Sequence, residues 1–192
     1  IKRIILASQV IINEKLHSNN DNMPNSFHID QAMKWLCKAQ DEALNGGVSE
    51  GYHLYHGWLP PYPETTGYII ETFINYSEIS ANSNLRDRAL RMARWLMSIQ
   101  HDDGAFPDSY YKKKMVFDTG QVIFGLLKSY EETGELIYLE SAQKAGEWLV
   151  RVQENDGTWR NFAVDLIPHT YYSRVAWSLI KLYENLKEQK YL

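Results

Sequence analysis

Three segments of the chain carry one signature, Trp-Leu-x-x-x-Gln: Trp35 to Gln40, Trp95 to Gln100 and Trp148 to Gln153. The tryptophans lie 60 and 53 residues apart, so the unit is about 55 residues, with a longer loop in the first copy. Such a period limits the fold strongly. One short supersecondary unit cannot bury its apolar face alone, and successive copies must stack to make a core. After the second signature comes Asp103-Gly104-Ala105-Phe106 and after the third Asp156-Gly157-Thr158-Trp159. The first is followed by the looser Asn45-Gly46-Gly47.

Each unit holds two helical patterns. Upstream of each Trp, apolar residues recur at helical spacing, as in Met92, Leu96 and Ile99 or Ala145, Leu149 and Val152. The Asp-Gly pairs are expected to end the helix, because Gly accepts left-handed angles at little cost. A polar, aromatic loop leads to a second helix containing Ile69, Phe73 and Tyr76, then Ile123, Leu127 and Tyr130, then Ala176, Ile180 and Tyr183. The second helices are apolar around more of their circumference and read as an inner layer. The first helices carry the charge, as in Arg86-Asp87-Arg88, and read as an outer layer. Trp35, Trp95 and Trp148 read as packing residues.

The fold expected is therefore all-α. Residues 28–192 form one domain of αα-hairpins divided as 28–84, 85–137 and 138–192. Residues 1–27 hold a preceding helix carrying Ile4, Ile5, Val10, Ile11 and Leu16, and a connector around Pro24. Lys187 to Leu192 fall where a fourth outer helix would begin.

Composition excludes several classes. The 192 residues include 20 Lys+Arg against 24 Asp+Glu, a formal charge of −4, so the basic surface that nucleic acid requires is missing. No apolar run approaches the roughly 18 residues of a membrane span. One cysteine, Cys37, leaves no internal disulfide or Cys-rich metal site. No cofactor and no metal is called for. His53-x-x-His56 has ligand-like spacing but lacks further ligands. The compartment stays open, with a slight lean to the cytoplasm.

Hairpins with a polar outer and an apolar inner layer resemble the α/α toroid, the architecture of six-hairpin glycosidases, glycan epimerases and lyases, terpenoid cyclases and protein prenyltransferases. Gln100 to Phe106 and Gln153 to Trp159 look like the repeat of the terpenoid-cyclase branch. The resemblance implies a cavity whose mouth is ringed by the N-terminal ends of the inner helices. It also implies more than the three hairpins counted here, from further sequence or from an oligomer.

Aligning the inner helices on Tyr76, Tyr130 and Tyr183 puts Glu64, Asp118 and Tyr171 in register, with His169 and Arg174 close by. These five are the catalytic candidates. Two carboxyls, one protonated and one ionised, divide acid and base roles on a sugar. Helix capping competes for both carboxylates, since an acid at a helix start complements the dipole. Arg174 either pairs with one of them or binds an anionic sugar, the internal pair being slightly favoured.

The first loop, six residues longer than its counterpart, contains Tyr52, His53, His56 and Trp58, a glycan platform or a plug on the fold. Tyr68, Gln121 and Tyr172 complete the substrate-binding candidates. Absences sort the branches. The acidic run of protonating terpenoid cyclases is missing, and so are the cysteine ligands of zinc prenyltransferases. The reading is a carbohydrate-active enzyme with a glycan substrate. An isoprenoid cyclase-like enzyme and a non-catalytic binding toroid are the alternatives.

Overall fold

The computed structural model describes residues 23–192. Helix makes up 65% of it, in six α-helices with little strand, so the chain is all-α. The helices are α1 (Asn25–Ala43), α2 (Pro63–Ser80), α3 (Ser83–Ile99), α4 (Val116–Thr133), α5 (Leu136–Arg151) and α6 (Ser173–Leu186). In the first loop, β1 (Tyr52–His53) pairs antiparallel with β2 (Gly57–Trp58). The expected helix within residues 1–22 lies outside the described residues. Asn25 to Phe27, expected in the connector, already belong to α1.

Two rows of helices emerge. α2, α4 and α6 pack side by side, while α3 lies against α2 and α5 against α4. Glycines let the inner row close up. A Cβ on Gly125 would sit 2.2 Å from the Gly67 carbonyl oxygen, and one on Gly67 would sit 2.8 Å from Gln121 backbone. Around this contact Ile70, Phe73, Ile74, Val122, Ile123 and Leu126 are all fully buried. Removing that apolar area from water, at about 25 cal/mol per Å², is the main stabilising term.

The glutamine of the signature has a definite task. Gln40 Nε2 donates to the carbonyls of Gly46 and Arg88, each at 3.0 Å, and Gln100 Nε2 donates to those of Gly104 and Ser141, also at 3.0 Å. Each therefore ties its own loop to the next outer helix. A threonine does the same for the inner row. Val48 N–H donates to Thr66 Oγ1 at 3.0 Å and Phe106 N–H to Thr119 Oγ1 at 2.9 Å.

These pairings set the repeat at 53 residues from α2 onward. The helix starts Pro63 and Val116, the starts Ser83 and Leu136, and the C-caps Ala81, Gly134 and Lys187 all agree. Tyrosine alignment placed Glu64 opposite Asp118, one residue out. In the structure Thr65, Asp118 and Tyr171 are equivalent, and Glu64 corresponds to Phe117. The hairpin boundaries also move: outer helices begin at Asn25, Ser83 and Leu136, two or three residues before 28, 85 and 138.

Trp95 and Trp148 are buried as expected, at 6% and 1% exposure, but Trp35 is 50% exposed. Trp95 lies directly on Gly47 of the preceding loop, where a Cβ would approach its ring to 2.6 Å. Trp35 instead meets Trp58 and Tyr52 of its own loop, with ring centroids 4.8 and 6.4 Å away.

Candidate functional site

The first turns of α2 and α4 sit side by side beneath the loops that enter them. Pro63 occupies the first position of α2, where its missing N–H costs nothing. At α4, Met115 N–H donates to the Phe106 carbonyl and Val116 N–H to that of Phe162, so two loops cover the helix start. That cover buries Asp118, which is only 2% exposed. The N-cap residues are Tyr62 and Met115, neither with a side-chain cap bond, so neither Glu64 nor Asp118 is an N-cap. Both lie in the first helical turn, where the dipole favours negative charge.

Burial overrides the dipole at Asp118. Loss of solvent and then the Glu64 charge push its carboxyl up to about 8, against favourable interactions with its own backbone N–H and with Tyr62. Its Oδ2 is buried with no hydrogen-bond partner. Glu64 Oε1 accepts a 2.6 Å hydrogen bond from the Tyr68 hydroxyl. Tyr62, half-buried, has its phenol raised well above the ordinary value, first by desolvation and then by Asp118 and Glu64. Tyr68 is raised as well, first by desolvation and then by its bond to Glu64. The site is therefore two carboxyls and two tyrosines in one electrostatic cluster.

One turn further along α4, the fully buried Gln121 accepts a 2.9 Å hydrogen bond from Arg174 Nε, while its own Nε2 is buried without a partner. The guanidinium stands over Phe124 and Trp177, 5.6 Å from each ring. The pair expected between Arg174 and Glu64 or Asp118 is not formed. In the 53-residue register Arg174 is equivalent to Gln121 and Tyr68, so these three side chains adjoin along the inner row. Arg174 also lowers the Tyr68 phenol, which places its charge near that tyrosine.

His169, Tyr171 and Tyr172 gather at the start of α6. His169 and Tyr171 stack at 4.9 Å, and Phe117 meets Tyr171 edge-on at 4.8 Å. His169 Nε2 lies 3.2 Å from the Val164 carbonyl, and the buried Tyr172 hydroxyl accepts from Val164 N–H at 3.2 Å. Tyr172 thus takes the place of Thr66 and Thr119. Burial pushes its phenol up to about 12. These three residues neighbour the carboxylates through Phe117 and Tyr172, but His169 has no bond to either acid.

The aromatic residues of the first loop gather against Trp35, which stays half-exposed. Tyr52 and Trp58 face each other at 5.2 Å on the ribbon and both meet Trp35. His53 and His56 are exposed, and His53 Nδ1 accepts from the backbone of Tyr55 and His56. None of these four reaches the carboxylates in a hydrogen bond. Tyr111 of the second loop leans across to the Pro61 carbonyl at 3.1 Å, joining the two loops above the helix starts. Among the described residues no group of three or more His, Cys, Asp or Glu is placed to hold a metal. None of their helices is long and apolar enough to cross a membrane.

Two clefts lie beside this cluster. One of about 1170 Å³ opens between the second and third loops, lined by Lys112, Lys113, Arg151, Phe162 and Leu166 among others. A smaller one of about 240 Å³ is lined by Trp159, His169 and Tyr172. Neither includes Glu64 or Asp118. Sequence reasoning missed Tyr62, which interacts with both carboxylates; its position immediately before Pro63, at a helix entry, was the available signal. Fold and site together define an all-α protein of repeated αα-hairpins with one buried and one part-buried carboxyl at the inner helix starts. No protein-family model and no curated protein matches the chain.

Proposed function

We propose that the arc of hairpins is part of an α/α toroid and that the chain belongs to a carbohydrate-active enzyme using the inner helix starts for acid–base chemistry. One observation carries this reading: Asp118, buried with a free Oδ2 and raised to about 8, stands in the field of Glu64. A carboxyl held protonated by burial beside a second carboxyl is suited to act as proton donor. Asp118, protonated at neutral pH, gives its proton to a leaving oxygen. Glu64, held by Tyr68, takes a proton from the attacking group or stabilises positive charge. Arg174, oriented by the buried Gln121, offers N–H donors to sugar hydroxyls or to a carboxylate, and Trp177 offers an aromatic face. His169 and Tyr171 form the neighbouring wall.

The burial of Asp118 favours a second reading. A carboxyl at 2% exposure, outside both clefts, also suits a toroid that binds without turnover, its acid kept neutral inside the fold. Incubation with neutral and uronic-acid oligosaccharides, read by mass spectrometry beside Asp118→Asn, separates the two. Cleavage with added water marks a hydrolase and cleavage without it a lyase, and the variant should lose either. Binding that persists unchanged in Asp118→Asn, with no mass change for any substrate and no epimer by NMR, would establish the binding reading.

A further inference from the structure

The contacts that join successive repeats recur in the third repeat with one side missing. Gln40 and Gln100 each donate twice, to their own loop and to the next outer helix, whereas among the described residues Gln153 Nε2 donates only to Gly157 O at 2.9 Å. The loop glycine behaves alike. A Cβ on Gly46 would lie 3.1 Å from Arg91 O and one on Gly104 would lie 2.1 Å from Lys144 O, positions 53 residues apart. A Cβ on Gly157 would meet nothing within 4 Å among the described residues.

The inner row repeats the pattern. Ile123 and Leu127 of α4 are 0% and 3% exposed, covered by the next helix, but their equivalents in α6 are Ala176, exposed, and Ile180, 43% exposed. Meanwhile Gln189–Tyr191 forms one helical turn at the position of the starts Ser83 and Leu136. Tyr191 is buried like its equivalents Leu85 and Tyr138.

We propose that this face, made by Gln153, Gly157, Ala176 and Ile180, is the docking surface for a fourth αα-hairpin of the same repeat, with its outer helix running on from Gln189–Tyr191. The occupant is defined by what the surface lacks. It must present a helix backbone carbonyl to Gln153, a close backbone to Gly157 and an apolar inner helix to Ala176 and Ile180. All three demands are met inside the chain by each repeat for the one before it. Stacked repeats draw stability from such nearest-neighbour interfaces, so adding a matched unit strengthens the array. The proposal stands apart from any chemistry at the rim.

The test extends the chain after Leu192 with a second copy of residues 140–192, which continues the 53-residue register. A single urea transition, steeper and at higher midpoint than that of the 192-residue chain, is expected. Gln153→Ala should lower the midpoint of the extended chain by clearly more than that of the 192-residue chain, where only the exposed bond to Gly157 is lost. A separate transition for the added hairpin, or an equal Gln153→Ala effect in both chains, would overturn the proposal. A second comparison needs no extension. In the 192-residue chain Ile180→Asp should leave the thermal midpoint nearly unchanged while Leu127→Asp collapses it. Equal losses would show that the face is already covered. Sedimentation as a dimer that Ile180→Asp dissociates would assign the face to a second copy and refute the hairpin.

Discussion

The start of α4 and the start of α6 occupy equivalent places in the repeat, yet they have become different chemical environments. At α4 the sequence Asp118-Thr119-Gly120-Gln121 is enclosed by two loops and two helices, and all four residues are buried. At α6 the equivalent Tyr171-Tyr172-Ser173-Arg174 keeps only Tyr172 buried, and Tyr171 is 40% exposed. Position in the repeat sets where a side chain points, and the neighbours set how much water it keeps. A carboxyl at the α4 position therefore becomes a neutral acid, whereas α6 carries aromatic and cationic groups that tolerate solvent.

The sharpest way to break this contrast is through the tryptophans. Trp148→Ala should cost about 3–5 kcal/mol by urea unfolding, because a fully buried indole leaves a cavity. Trp35→Ala, at a half-exposed site, should cost well under half as much. Similar losses would mean that Trp35 is covered. Glycine contacts give the next largest effect. Gly125→Ala, forcing a methyl against the Gly67 carbonyl, should cost about 1–3 kcal/mol. Ser173→Ala in exposed α6 should stay within about 0.5 kcal/mol.

The titration of Asp118 follows. The folded protein holds this proton up to about pH 8, whereas an unfolded Asp releases it near about 3.9. Between those values the native state binds more protons than the unfolded state, so stability falls as pH rises, at up to about 1.4 kcal/mol per pH unit. Urea midpoints at several pH values should show that slope in the wild type and lose it in Asp118→Asn. An unchanged slope in the variant would remove Asp118 as its source.

The smallest contrast lies in the loop anchors. Thr119→Val leaves the buried Phe106 N–H unpaired and should cost about 1–3 kcal/mol. Tyr172→Phe leaves only the part-buried Val164 N–H, which water can reach, and should cost about 1 kcal/mol or less. Hydrogen exchange at Phe106 and Val164 reads the two directly.

Much of the architecture could be read before any coordinates. The Trp-Leu-x-x-x-Gln spacing located three outer helices, because helix periodicity is a local property, but the glycines do not cap them: the C-caps are Leu44, Gln100 and Val152, and Gly46, Gly104 and Gly157 turn the chain further on. The rim was found only in part. Tyr76 and Tyr130 looked equivalent but are one residue out of register, since a tyrosine on a helix surface is no fixed landmark, whereas the thresholds Thr66 and Thr119 bond the loops. Glu64 still reached the site, from the adjacent position. The first loop read equally well as platform or plug, and the fold sets Tyr52 and Trp58 against a half-exposed Trp35, an arrangement that serves either.

The sequence by itself determined the helical class, the two-layer alternation and the 53-residue unit of the last repeats, all consequences of apolar periodicity and backbone preference along a short stretch of chain. Tertiary structure alone decided which carboxyl is buried, that Arg174 meets Gln121 rather than an acid, and that among the described residues Gln153 lacks the partner its equivalents have. Those outcomes depend on which surfaces meet across tens of residues, and desolvation is a property of that enclosure rather than of any residue's identity.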